Sequence, residues 1–171
     1  IVFSGDVGNI DQPILNDPKP VAETDYLVVE STYGNRLHDK PKDVRAELTD
    51  VLQRAFDRGG SVIIPAFAVG RTQELLYLLR EIKQKKLVHG HDGFPVYLDS
   101  PLAEEATSVF LQCDTDCFDP ETQEVLKSGQ NPIWCPGLQL ALTAEDSKAI
   151  NSDSRPKVIL SASGMCDAGR I

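Results

Sequence analysis

The stretch that decides the fold runs from Tyr26 to Gly34 and has the sequence YLVVESTYG. Three apolar residues, Leu27 to Val29, are followed by the carboxylate of Glu30 and by a small polar turn. β-Branched residues bounded by turn-forming residues predict a buried strand. A carboxylate at the end of such a strand is costly to bury unless it is paired, hydrogen-bonded or close to a metal. The pattern therefore predicts a strand that delivers a functional acid to one edge of a sheet.

The same arrangement, an apolar strand followed by an abrupt turn, recurs three times, at residues 61–66, 95–98 and 157–160. Amphipathic helices lie between these strands. Such alternation predicts an α/β fold with a mostly parallel, Rossmann-like sheet and helices on both faces. Right-handed crossovers place the carboxyl ends of all four strands along one edge, where ligands of such sheets bind. We expect that edge to gather residues 30–34, 67–71, 99–100 and 161–165.

Three local predictions accompany this architecture. The helix that begins at Pro101 is expected to bury Leu102, Ala106, Val109 and Phe110, which share one face. The proline- and glycine-interrupted residues 129–142 are predicted to form a loop. Residues 11–25 contain three prolines and no periodic pattern, which is typical of a connector between domains.

Composition limits the function further. The hydrophobic fraction of 41% and the charged fraction of 25% are typical of a soluble globular protein, and no apolar run approaches the roughly 20 residues of a membrane helix. A net charge of −9 argues against nucleic-acid binding by bulk charge, but not against a cleft that holds a few phosphates locally. The four cysteines form no CxxC pair and predict reduced thiols in a cytosolic or nuclear protein. The chain begins without Met inside an apparent strand, so we expect a segment of a longer protein.

Several side chains at the predicted strand ends are candidates for a site, and each also has a purely structural interpretation. Asp6 follows a strand and stands near two glycines, which suits either a functional acid or an Asx-type turn. Ser163 and Gly164 precede an apparent helix and suit a phosphate or carboxylate, or a simple cap. Arg71 could bind the same anion through two hydrogen bonds or pair with Glu74. The loop VHGHDG, residues 88–93, contains two histidines but is expected to be a polar turn at the opposite edge.

Five strings carry a family resemblance, and they occur in one order along the chain. They are FSGDVG (3–8), VVESTYG (28–34), IIPAFAVGRTQELL (63–76), VYLDSPLA (96–103) and ILSASGM (159–165). Together they closely resemble the β-CASP branch of the metallo-β-lactamase-fold nucleases, which includes the endonuclease of the cleavage and polyadenylation specificity factor. The match extends over nearly the whole chain and is weakest between Gln112 and Ala141.

The resemblance implies a role for particular residues. Asp6 matches an aspartate that bridges two metal ions, usually zinc. Glu30 matches an acid that orients a histidine further along the protein, so both acids would be catalytic. Ser163 and Gly164 match a segment that in relatives lies by the active-site cleft and can hold RNA phosphate. At the same predicted edge, Arg71, Thr32 and Tyr33 are also expected to bind RNA phosphate.

The resemblance also divides the chain and completes the picture of the whole protein. Residues 1–10 would be the last strand of the metallo-β-lactamase domain, 11–19 a linker, and 20–171 the β-CASP domain. A HxHxDH motif would precede this chain and two late histidines would follow it. We therefore expect two zinc ions in the full-length protein and none in this fragment, which would be inactive alone. The implied partners are single-stranded RNA and either a second copy of the protein or an RNA-processing complex, with no membrane.

Two rival classes stay open at this point. One is a non-catalytic homologue that acts as a scaffold in an RNA 3′-end processing complex; the intact Asp6 and Glu30 favour an active parent instead. The other is an unrelated Rossmann-like module that binds an anion or a nucleotide. The chain contains neither a GxGxxG after its first strand nor a P-loop lysine, which argues against that module.

Overall fold

The computed structural model of the chain describes residues 1–37, 43–113, 115–162, 165–166 and 169–170. Strands and helices alternate through most of this length. In chain order they are β1 (Val2–Phe3), β2 (Leu27–Val28), α1 (Val44–Phe56), β3 (Val62–Pro65), α2 (Arg71–Gln84), β4 (Val96–Asp99), α3 (Pro101–Gln112), a 3₁₀ turn (Thr115–Cys117), α4 (Pro120–Lys127), β5 (Leu138–Leu140), α5 (Ala144–Ile150) and β6 (Val158–Ser161).

Four strands form one parallel sheet in the order β3-β6-β4-β5, which we call the large sheet. Val158 of β6 lies in register with Val62 of β3 on one side and with Val96 of β4 on the other. All four residues of β4 are buried, so both faces of the sheet are covered at that strand. The predicted α/β class with a parallel sheet is confirmed.

The hydrophobic core lies between the large sheet and the helices α1 and α2. Each helix contributes a face that is fully removed from water, and β4 and β6 contribute their apolar side chains. The core includes Leu52, Phe56, Leu76, Leu79, Ile82, Val96, Leu98, Val158 and Leu160. The large sheet is therefore a rigid support for whatever its carboxyl edge carries.

The prediction that all four apolar strands share one sheet is wrong. β2 pairs with β1 instead, in a separate two-stranded parallel sheet that we call the small sheet. Nor is β2 buried, because Leu27, Val28 and Val29 are each more than half exposed. The place of β2 beside β3 and β4 was inferred from chain order, which does not determine which strands pair.

The fourth strand of the large sheet is β5, Leu138–Leu140, which lies within the predicted loop 129–142. Its three residues pair with β4 through Val96↔Leu138 and Leu98↔Leu140. Three residues preceded by Pro136 and Gly137 are too few to show a period, so the sequence pattern missed this strand.

The predicted inward face of α3 is also wrong in part. Leu102 and Val109 are about three-fifths exposed, whereas Ala103 is buried. Thr107, on the same side as Ala103, accepts a hydrogen bond of 2.9 Å from the fully buried Gln73 of α2. Small residues allow α3 to approach α2 closely, and this contact decides the orientation of the helix in place of its larger apolar residues.

The connector 11–25 is held around Ile14 to the 3₁₀ turn and to the start of α4. Ile14 is 1% exposed, and its main chain exchanges two hydrogen bonds of 2.9 Å with Asp119, one with the carboxylate and one with the backbone N–H. Asp119 also accepts from the N–H of Thr122 and so caps α4. The segment after β1 is therefore anchored although it contains no helix.

Candidate functional site

The carboxyl edge of the small sheet brings two of the predicted site residues together. β1 and β2 run parallel with Phe3 opposite Val28, so the residues that follow each strand emerge at the same edge. The hydroxyl of Ser4 accepts a hydrogen bond of 3.1 Å from the backbone N–H of Glu30. This contact fixes the two strand ends beside each other, and Asp6 and Glu30 follow them.

The carboxylate of Glu30 is organised by its own turn. Its Oε2 accepts a hydrogen bond of 2.9 Å from the backbone N–H of Thr32. The pKa of Glu30 lies below its ordinary value of 4.5, chiefly because of this N–H, with further contributions from the Thr32 side chain and the backbone of Val7. Glu30 is therefore an exposed, ionised acceptor in the neutral range.

The turn after Glu30 also places a cation that the sequence prediction missed. The guanidinium carbon of Arg36 lies 4.6 Å from the centre of the Tyr33 ring, and the Arg36 N–H donates to the Tyr33 carbonyl at 3.1 Å. Thr32, a predicted phosphate contact, instead uses its N–H for Glu30. The signal for Arg36 was its position three residues after Tyr33, where a turn brings the two together.

Asp6 is exposed at the tip of β1, after Gly5, whose φ of 57° lies in the left-handed region. It offers one carboxylate to a metal. Within the described ranges, no group of three or more His, Cys, Asp and Glu side chains is placed to hold a metal ion. A catalytic zinc takes three protein ligands and a pair takes more, so the described residues do not by themselves fit the implied zinc pair.

The contacts of the histidine loop, residues 88–93, are structural. His91 Nε2 lies 3.0 Å from Asp57 Oδ1, and its ring packs edge-on against Phe56, which holds the loop to the end of α1.

All four cysteines are free thiols. Cys135 is buried, and burial raises the pKa of its thiol to about 11, which leaves it protonated and unreactive.

Arg71, another predicted site residue, begins α2 at the carboxyl end of β3. Its Nη1 lies 2.7 Å from Glu74 Oε2, so the ion pair that the sequence left as an alternative is present. The Arg71 side chain nevertheless stays 59% exposed. Burial raises the pKa of Glu74 above its ordinary value, while the charge of Arg71 acts in the opposite direction. A cavity of about 1000 Å³ beside the connector and α2 is lined by Arg71 and Glu74, but by neither Asp6 nor Glu30.

Asp99 ends β4 at the same edge of the large sheet as Arg71. It is 4% exposed, and its Oδ1 accepts a hydrogen bond of 2.8 Å from Arg170. Ser163 and Gly164, the predicted phosphate contacts, lie outside the described residues. The structure thus groups Asp6 with Glu30 on the small sheet, and Arg71 and Asp99 on the edge of the large sheet. The single edge that was predicted for all of them is divided between two sheets.

Comparisons with known proteins agree with this architecture. The Beta-Casp domain matches residues 72–171. Ribonuclease TTHA0252 of Thermus thermophilus is 38% identical over 173 residues, which are 100% of this chain and 38% of that protein. Transcription termination factor FttA of Methanosarcina mazei is 33% identical over 177 residues, 100% of this chain and 27% of that protein. Endoribonuclease YSH1 of Saccharomyces cerevisiae is 29% identical over 171 residues, 99% of this chain and 21% of that protein.

An α/β domain with a parallel sheet, matched by the Beta-Casp domain over residues 72–171, defines the class. The chain belongs to the Beta-Casp domain family, and the resemblance carried by the five strings is confirmed. The unrelated Rossmann-like module is thereby set aside. The chain spans 38% or less of the length of these three relatives. None of the helices within the described ranges has the length and apolar character that a bilayer-spanning segment requires.

Proposed function

We propose that the chain is the RNA-gripping cap of a metal-dependent ribonuclease, together with the strand pair that carries two of its acids. One observation carries the proposal: Asp6 and Glu30 share the carboxyl edge of the small sheet, fixed there by the contact from Glu30 to Ser4. Membership of the Beta-Casp domain family and relatives named ribonuclease and endoribonuclease support it.

Glu30 acts in this proposal as an orienting acid. Its depressed pKa keeps it ionised, and the N–H of Thr32 restrains one of its two oxygens. An ionised carboxylate with acceptor capacity to spare can fix the tautomer and direction of a histidine. We infer, from the resemblance, that this histidine comes from another part of the complete protein. Asp6 would supply one metal ligand there, with zinc as the expected metal and the other ligands outside the described residues.

The edge of the large sheet would hold the RNA. Arg71 keeps more than half of its side chain exposed there despite its pair with Glu74, so it can still donate to a phosphate. Ser163 and Gly164 are proposed to bind phosphate as well. The turn at Thr32 and Tyr33 would contribute the guanidinium of Arg36, which lies over the Tyr33 ring. Single-stranded RNA is the proposed partner, in the cytoplasm or nucleus where reduced thiols persist.

The pairing of β2 with β1 bears on the division of the chain. The sequence placed the boundary near residue 20, between the two strands. Because β2 belongs to the small sheet and the buried core lies in residues 43–162 apart from Ile14, we propose that the metallo-β-lactamase part extends at least through Glu30. In this division Ile14 is a contact between the two parts.

The proposal is tested by RNA cleavage with the complete protein and with this chain alone. Asp6→Asn keeps the shape of the side chain but removes its charge, so we expect cleavage of single-stranded RNA to fall by about a hundredfold or more and bound metal to decrease. Asp25→Asn, at an exposed acid two residues before β2, is the matched control and should cleave RNA within about twofold of wild type. Wild-type cleavage by Asp6→Asn would contradict the proposal. Metal-dependent cleavage by the isolated 171-residue chain would contradict its assignment as a cap without its own metal pair.

A further inference from the structure

Arg170 joins the carboxyl ends of three strands of the large sheet. Its Nη1 donates to Asp99 Oδ1 at 2.8 Å, at the end of β4, and to the carbonyl of Ala141 at 2.6 Å, just after β5. Its Nη2 donates to the carbonyl of Leu142 at 2.9 Å. Its backbone N–H donates to the carbonyl of Ala162, the residue after β6, at 2.9 Å. One side chain and its own amide therefore connect β4, β5 and β6.

The carboxylate at the centre of this cluster is buried and fully engaged. The Asp99 side chain is 6% exposed, and its second oxygen, Oδ2, accepts a hydrogen bond of 2.7 Å from Ser147 of α5. Asp99 and Ser161 lie in register on β4 and β6, so the ion pair sits where these central strands end. A buried carboxylate that loses its cation is strongly destabilising. The cluster is therefore built to keep Arg170 in one place.

We propose that Arg170, held by Asp99, is a positioning residue that ties together the described residues at the ends of β4, β5 and β6, along the carboxyl edge of the large sheet. Its backbone N–H bonds to Ala162 after β6, and its guanidinium bonds to Asp99 at the end of β4 and to the carbonyls after β5. This inference rests on the proposed function, because the edge it organises is the one assigned to RNA. Arg170 itself is three-quarters buried and engaged by three acceptors, so it acts through the geometry of its neighbours.

The chemistry of the cluster requires arginine. A guanidinium presents five donors in a rigid planar fork, and here two of its nitrogens serve three acceptors in different directions. A lysine ammonium keeps the charge beside Asp99 but is a single point that cannot span the same acceptors. Arg170→Lys should therefore preserve the ion pair and lose the link to β5, while Arg170→Met should lose both.

Arg155, at the amino end of β6, offers a matched control. Arg155 precedes β6, and its side chain donates two hydrogen bonds, of 2.9 and 2.8 Å, to the carboxylate of Asp153 two residues earlier. That pair is local, and the Arg155 side chain is 62% exposed. Arg155→Met removes an arginine–carboxylate pair of the same type without touching the carboxyl edge.

The test measures hydrogen exchange and RNA kinetics on the complete protein. In Arg170→Met, we expect the amides of Ala141 and of residue 170 to exchange at least about tenfold faster than in wild type, since the guanidinium contacts that hold these backbone hydrogen bonds in place are lost. KM for single-stranded RNA should rise by about tenfold with a smaller change in kcat, because displaced contacts weaken binding of the strand. Arg170→Lys should fall between, and Arg155→Met should match wild type in both measurements. The lysine variant also serves if the methionine variant does not fold.

Each outcome decides the question. Unchanged exchange in both Arg170 variants would overturn the tie between the strand ends, whatever the activity. Faster exchange with an unchanged KM would show a structural tie that positions nothing for RNA, and would also overturn the inference. If wild type itself cleaves no RNA, the proposed function fails and the positioning role fails with it, while exchange still decides whether Arg170 ties the strand ends together.

Discussion

The two sheets of this protein share a sequence pattern and differ in what surrounds them. In the large sheet, β4 ends on Asp99, and all four of its residues are buried. In the small sheet, β2 is followed two residues later by Glu30, and its apolar residues are more than half exposed. The acid of the buried strand is bound by Arg170 and Ser147, whereas the acid of the exposed strand is bound by its own turn.

An acid at the end of an apolar strand can therefore either stabilise the fold or be available for catalysis. Asp99 is fully engaged inside the protein, so it holds structure. Glu30 lies at an open edge beside Asp6 with acceptor capacity to spare, so it suits a catalytic role. Two isolated strands are marginally stable in water. An exposed apolar surface such as that of β2 is typical of a strand that packs against another part of a protein. We therefore expect the small sheet to be completed in the full-length protein.

The largest expected effect is in hydrogen exchange. In the 171-residue chain, amides of β6 should exchange at least about a thousandfold more slowly than those of Val2 and Ser4, which bond only across the small sheet. In the complete protein the difference should shrink as Val2 and Ser4 become protected. Equal protection of both sheets in the isolated chain would break the comparison.

Truncating matched leucines should give the next largest effect. Leu160 of β6 is 0% exposed and Leu27 of β2 is 54% exposed. Leu160→Ala should lower the free energy of unfolding of the isolated chain by about 2–5 kcal/mol, because it leaves a cavity. Leu27→Ala should change it by less than about 0.5 kcal/mol. Urea denaturation followed by circular dichroism measures both, and similar losses would show that the small sheet already belongs to the core.

The smallest expected effect is electrostatic: the pKa values of two glutamates, Glu30 and Glu74, should shift in opposite directions. Glu30 should titrate below 4.5, since Thr32 donates to its charged form, and Glu74 should titrate above 4.5, since burial disfavours its charge. The contribution of Glu30 to stability is then present above pH 4.5 and lost as pH falls through its depressed pKa. For Glu74 the sign is opposite, and stability is lost as pH rises through its elevated pKa. An NMR titration of both carboxyl groups checks the order, and a reversed order would contradict the assigned surroundings.

The sequence predicted which residues form helices and strands more successfully than it predicted which strands pair with each other. The start of α3 at Pro101 was predicted correctly because it depends on contacts within three residues: Ser100 caps the helix by accepting from the N–H of Ala103. The parallel α/β class also followed from local patterns. The partner of β2 did not, because the choice between β1 and β3 depends on packing across many residues that no local period records.

The site shows the same limit. Asp6 and Glu30 are site predictions that came from the family strings, and the structure adds that Ser4 joins their strand ends. Arg170 could not be found, since its three side-chain acceptors lie 28 to 71 positions away along the chain. The divided edge also follows from strand pairing, so Glu30 and Asp99 were grouped by a similarity of pattern that does not imply proximity.

The most direct measurement is cleavage of single-stranded RNA by the complete protein carrying Glu30→Gln, with Glu23→Gln, an exposed acid of the connector, as its control. The account predicts that kcat falls by about a hundredfold or more for Glu30→Gln, because the neutral amide is a weaker acceptor and no longer orients the histidine, while Glu23→Gln matches wild type. If Glu30→Gln cleaved RNA as fast as Glu23→Gln, the open edge of the small sheet would not be the catalytic one, and the account would be wrong.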